Sequence, residues 1–198
     1  MNGEAFLAVV LFSVAMSATP GPNNAMLMAS GVNFGFRRSL PHLFGVTAGV
    51  VAMLLAVGLG LGALFERWSA LHVVLQVVGA GYLLVLAWRL ARSGGLGAAS
   101  ARAQPMSFAG AAAFQLANPK AWVMTISAVT AYTPPDHFAL NLLIVAATFA
   151  LVGLPSTGMW TAFGVALRRW LREEGRIRRF NWAMAALLVL SLIPVLLG

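Results

Sequence analysis

The chain has 198 residues, 60% of them hydrophobic and 9% charged. Soluble domains carry about 25% charged residues, so most of this surface must face something other than water. The formal charge of +8 does not imply nucleic acid, because the basic residues fall in short gaps between apolar runs, as in membrane proteins. There is no cysteine, which excludes disulfides and thiol chemistry. Apolar runs of about 20 residues recur along the chain, predicting an all-α polytopic membrane protein with one transmembrane domain over residues 1–198.

Span 1 is expected from Glu4 to Ser30. It is a span rather than a signal peptide, because its only early charge is Glu4 and a signal peptide starts basic. The span is interrupted at Thr19-Pro20-Gly21-Pro22, followed by Asn23 and Asn24. Two prolines and a glycine there remove backbone donors and relax the helix. In hydrocarbon such a break survives only where protein groups or a water-filled cavity satisfy the freed backbone. A turn with Gly31, Asn33, Gly35, Arg37 and Arg38 follows. Span 2 is expected from Leu40 to Phe65, with Gly45 and Gly49 at GxxxG spacing and then Gly58, Gly60 and Gly62. Such small residues let helices approach closely in a bilayer, and the glycine-rich faces also fit a homodimer. Glu66, Arg67 and Trp68 mark an interface. Span 3 runs from Leu71 to Ala91, with Gly79 and Gly81 and an interfacial Trp88–Arg89.

Residues 92–107 form the main linker. Span 4 runs from Phe108 to Tyr132 and is broken at Asn118-Pro119, next to Lys120. Thr133-Pro134-Pro135-Asp136 is a tight turn. Span 5 runs from Phe138 to Leu167 with a kink expected at Pro155. The stretch Arg168–Arg179 holds six arginines and reads as a cytoplasmic anchor at anionic lipid heads. Span 6 runs from Phe180 to Leu197, with Pro194 near its end.

Six spans alternate sides. Eleven of the thirteen basic residues then share one side, Arg67 alone takes the other, and Lys120 lies within a span. That bias places both termini outside the cytoplasm. Pro119 follows Pro22 by 97 residues, and the same offset lays Ser127 over Ser30. Each half, residues 1–91 and 105–198, holds three spans. An odd number per half makes the second half inverted relative to the first. Two inverted three-helix repeats with broken helices 1 and 4 are a common plan for secondary transporters.

The breaks carry the candidate chemistry. A half-helix starting at Pro22 exposes free N–H groups and a positive dipole end, suited to a carboxylate. An ammonium suits freed carbonyls or the side-chain oxygens of Asn23, Asn24, Gln115 or Asn118. Pro20, Gly21, Pro22 and Pro119 hold the half-helices open. Lys120 is about 18 Å into span 4 at roughly 1.5 Å per residue, near mid-membrane. It either pairs with a substrate carboxylate or carries a coupling proton. No Asp or Glu lies inside any span, which argues against a carboxylate relay or a carboxylate-built metal site. His42, His72 and His137 sit near span ends and read as interfacial residues. No cofactor, protease, hydrolase or nucleotide motif occurs.

Thr19-Pro20-Gly21-Pro22-Asn23-Asn24, then Gly31, Gly35-Phe36-Arg37 and Gly45-x-x-x-Gly49, resemble the lysine exporter/homoserine–threonine exporter family of bacterial amino-acid efflux proteins. Asn118-Pro119-Lys120-Ala121 resembles that family's second signature, and the resemblance covers essentially the whole chain. It implies a six-span inner-membrane exporter of small amino acids driven by proton antiport. Many members carry an Asp after the second glycine of span 2, where this chain has Val50. That departure argues against cationic cargo and is shared with the cysteine and O-acetylserine branch. The competing readings are a channel or lipid scramblase, an intramembrane enzyme lacking any evident nucleophile or acid pair, and a structural membrane subunit.

Overall fold

The computed structural model describes residues 1–61, 69–92, 104–171 and 173–193, the side chains of 61, 69–72, 75, 76 and 174 excepted. Gly62, the interface at Glu66, Arg67 and Trp68, linker residues 93–103 with Arg102, the His72 side chain, Arg172, Pro194 and Leu197 therefore lie outside the described residues. All regular structure among the described residues is helical. The helices are α1 (Gly3–Ala18), α2 (Pro22–Phe34), α3 (Phe36–Ala56), α4 (Ser69–Arg92), α5 (Phe108–Phe114), α6 (Pro119–Tyr132), α7 (Phe138–Arg168) and α8 (Glu174–Leu190).

Both expected breaks are present. α1 and α2 meet at a 56° bend. Pro22 opens α2, where its missing N–H costs nothing. α5 tightens into a 3₁₀ turn, Gln115–Ala117, and Pro119 opens α6 after Asn118. α3 with its first following residues (Phe36–Gly60) and α7 are each long and apolar enough to cross a membrane, and the bent α1–α2 pair makes a third such unit. The outer faces are apolar, with Phe6, Leu11, Val77, Val78, Leu143 and Leu151 exposed, while Asn24, Gln115, Asn118 and Asn181 are buried. Apolar outside and polar inside is the distribution that a hydrocarbon solvent demands.

Several expected boundaries shift. Gly31 and Asn33 belong to α2, and only Gly35, at φ 79°, makes the turn. Glycine adopts that conformation without steric cost. α3 therefore begins at Phe36, earlier than expected, and Pro41 and His42 are helical. It ends in a widened turn, Val57–Leu61, where Gly60 takes φ 106°. α7 continues through Pro155, which lies inside the helix. Most of the arginine-rich stretch is helical: Arg168 ends α7, Arg176, Arg178 and Arg179 lie on α8, which starts at Glu174, and Arg176 reaches back to Glu173 at 3.0 Å.

α7 is the central strut, packing on α1, α2 and α3, while α4 pairs with α8. Glycines set the closest approaches. A Cβ on Gly31 would strike the Thr161 carbonyl oxygen, and one on Gly164 the Met28 carbonyl oxygen. Gly45 and Gly49 likewise meet the backbone of Phe108 and Ala112 on α5, and Gly79 meets Ala117. These faces are used inside the chain and leave no stripe there for a second copy. Gly81 has open space instead. Two apolar clusters flank the breaks, one around Leu83, Phe114 and Leu188, the other around Leu54, Val145 and Phe149.

Candidate functional site

The two breaks lie against each other. A small cavity of about 50 Å³ is lined by Gly21, Asn23 and Asn24 of the first break and Asn118, Lys120 and Ala121 of the second. α3 adds Val46, Thr47 and Val50, and α7 adds Phe149, Gly153, Ser156 and Thr157.

At the first break the carbonyls of Ala15, Ser17 and Thr19 each have an identifiable partner. α1 ends at Ala18, so its last carbonyls have no helical donor. The Asn24 amide donates to the carbonyls of Ser17 at 3.1 Å and Thr19 at 2.8 Å. The Ser156 hydroxyl, from α7, also donates to the Ser17 carbonyl at 3.0 Å. The Lys120 ammonium donates to the Thr19 carbonyl. That bond joins the second half of the chain to the first. Thr19 also turns its own hydroxyl back to the Ala15 carbonyl.

A second tie crosses the halves. The Asn23 amide donates to Gln115 Oε1 at 2.9 Å, and the Gln115 amide donates to Asn23 Oδ1 at 3.1 Å. Gln115 is fully buried and also donates to the Ala111 carbonyl at 2.9 Å. Asn118, 2% exposed, caps α6 by accepting from the Lys120 N–H at 3.1 Å. A reciprocal amide pair and a charge-assisted bond hold the breaks in register.

All five residues expected at the site thus converge, in differing roles. Asn23, Asn24, Asn118 and Lys120 line the cavity, whereas Gln115 lies behind Asn23 and positions it. Pro20 and Pro119 shape the chain without lining the space. Among the described lining residues, Lys120 is the one charged group and none is acidic. Ser17, Thr47, Ser156 and Thr157 were not anticipated. A proline inside an apolar helix, Pro155, was the available signal for the last two. Val50 lines the cavity, so its position on α3 faces this space. His42 departs from its interfacial reading: it is 1% exposed, and its Nδ1 lies 2.9 Å from the Ser30 hydroxyl. An imidazole of α3 reaches the interior because that helix starts before Leu40.

Comparison with known proteins finds relatives along nearly the whole chain. The chain is 30% identical over 190 residues to the cysteine/O-acetylserine efflux protein of Escherichia coli (strain K12), covering 93% of each chain. It is 32% identical over 186 residues to the protein of the same description from Salmonella typhimurium, again covering 93% of each. No solved structure matches. A profile described as LysE type translocator matches residues 14–195, and with nearly the whole chain matched, the protein belongs to the LysE-type translocators and is a transporter, not an enzyme.

Proposed function

We propose that this chain is a secondary exporter of small, mostly neutral amino acids or close metabolites across the bacterial inner membrane, driven by proton antiport. The observation that carries the reading is the pair of helix breaks tied together over one cavity by Asn23–Gln115 and Lys120–Thr19. Cysteine and O-acetylserine, the cargo in the names of the relatives, are the first candidates. Both are small zwitterions, and a lining with one cation, several amides and hydroxyls and no acid suits cargo without net positive charge. A cargo carboxylate competes with the Thr19 carbonyl for Lys120 and also meets the N-terminal end of α2. Its ammonium turns to the side-chain oxygens of Asn23 and Asn118 and to break carbonyls. Taking Lys120 from Thr19 loosens one of the two ties between halves, and the halves then rock about the site.

The architecture proposed with it has six spans in two inverted repeats, residues 1–91 and 105–198, with both termini periplasmic. Packing supports the repeat. Exchanging α1, α2, α3 and α4 with α5, α6, α7 and α8 maps the α1–α7 contact onto α5–α3 and α2–α7 onto α6–α3. The same exchange maps α2–α3 onto α6–α7 and leaves α3–α7 and α4–α8 in place.

The test is efflux from proteoliposomes preloaded with labelled cysteine or O-acetylserine, under an imposed pH gradient. The parent is expected to move cargo against its gradient, and Lys120→Met to lose this. Lys120→Arg separates the two roles, since arginine holds a carboxylate but keeps its proton. Retained downhill exchange with lost uphill export assigns Lys120 to proton coupling. Flux that the pH gradient never drives uphill would identify a channel and end the exporter reading.

A further inference from the structure

A second cavity, of about 590 Å³, lies between α2, α3, α4 and the start of α5. It shares no lining residue with the first. On α2 the first cavity takes Asn23 and Asn24, and the second takes Met26, Ala29, Ser30 and Asn33. Asn23 and Ser30 are seven residues apart, so the two spaces lie in series, displaced by about 10 Å along that helix. The second lies toward the arginine-rich side, with Arg89 and Arg92 among its lining and no acidic residue. Arg92 stacks on Trp88 at 4.0 Å. His42 also lines it, 1% exposed, and its Nε2 is buried with no hydrogen-bond partner. A buried polar atom of that kind needs a partner that the protein does not supply. The Ser30 hydroxyl, 2.9 Å from Nδ1, can donate to it. A neutral ring then carries its proton on Nε2, a buried donor without a partner in the protein.

We propose that this cavity is a second binding site, for the carboxylate of a small solute, with Arg89 supplying the charge and His42 the hydrogen bond. The identification of the solute as cargo awaiting transfer to the first site rests on the exporter reading; the site itself does not. Because the chain has no cysteine, one introduced thiol reports on this space alone. Leu86→Cys places it on the half-buried wall, and Gln104→Cys, at an exposed position of the lining, serves if the first variant does not fold. The detergent-solubilised protein is labelled with an anionic and a cationic methanethiosulfonate reagent. The anionic reagent is expected to react roughly tenfold faster, as a focused positive field implies, and Arg89→Gln should bring the two rates together. L-serine should slow labelling while L-serine methyl ester, which has no carboxylate, should not, and His42→Gln should remove the protection. Equal rates for both reagents, or no protection by L-serine, overturn the site. Protection by phosphatidylglycerol but not by L-serine overturns it in favour of a lipid. The labelling needs no transport, so failed export alongside intact protection strikes the exporter reading and leaves the site standing.

Discussion

Gly21 is where a single methyl group tests the coupling between the two breaks. Its φ of −170° is extended backbone that any residue adopts, so the glycine is there for room. A Cβ added at Gly21 would lie 2.9 Å from Lys120 Cδ and 3.4 Å from Nζ. Carbon atoms rest at roughly 3.5–4.0 Å, so the lysine stem must retreat by about 0.6–1.1 Å. The stem is flexible and half-buried, so the fold survives. The bond from the ammonium to the Thr19 carbonyl does not keep its geometry. Hydrogen bonds to charged groups contribute about 1.5–3 kcal/mol, which is on the order of 10- to 100-fold in the population of the tied state. Gly21→Ala is expected to change the efflux rate by a factor within that range, while thermal unfolding in detergent moves by only a few degrees. In a Lys120→Met background the same alanine should have no further effect through the Thr19 tie, because the ammonium that makes that bond is gone. Equal effects of Gly21→Ala in both backgrounds would refute the claim that Gly21 acts through Lys120.

Other perturbations separate packing from chemistry. Asn23→Leu or Gln115→Leu alone leaves a buried amide without its partner and should cost about 1–3 kcal/mol of stability, while the double variant should cost less than the sum of the two; thermal unfolding of all three forms decides it. Gly31→Ala and Gly164→Ala drive a methyl into backbone carbonyls across the α2–α7 contact and should each destabilise by about 1–3 kcal/mol, whereas Gly81→Ala, with open space around it, should leave the melting temperature unchanged. Val50→Asp introduces an acid into a lining that holds none, so lysine should begin to compete for efflux and cysteine should compete less well. An unchanged competition profile from folded Val50→Asp protein would show that this position does not select for charge.

The breaks were legible because proline and glycine in an apolar run have few other meanings. Lys120 was legible because a lone charge at that depth demands a partner. Which partner it takes was not legible. Thr19 precedes Lys120 by 101 residues, and nothing local in the sequence marks that particular carbonyl as an acceptor. Gln115 was read as lining the site and instead holds Asn23 from behind, because its side chain is turned into the protein by the 3₁₀ turn it begins. His42 was misread through its neighbours. Arg37 and Arg38 imply an interface, but they sit on the first turn of α3, and one further turn along the helix already carries the ring inside. Pro155 does not end α7. A proline removes only one donor and meets one preceding carbonyl, and close packing on three neighbouring helices keeps α7 in one piece.

The halves are alike in plan and unlike in chemistry. At the proposed offset Lys120 lies over Asn23, and Ala121 over Asn24. Asn24 reaches back to satisfy two carbonyls of its own break, which an alanine cannot do for the second. The second break is capped by Asn118 itself, whose oxygen takes the Lys120 N–H. The first has Gly21 at the equivalent position and no side-chain cap. Break one therefore has engaged carbonyls and a bare α2 N-terminus, and break two has a capped helix and an ammonium. These two positive features, one from each half, meet beside Gly21, where Lys120 Nζ comes within 3.4 Å of the place a side chain would start. A symmetric pair of breaks would offer both ends of a zwitterion the same surroundings. This pair concentrates positive potential at one point and leaves amide and carbonyl oxygens around it. A zwitterionic cargo that enters then has one favoured orientation, carboxylate toward Gly21 and Lys120.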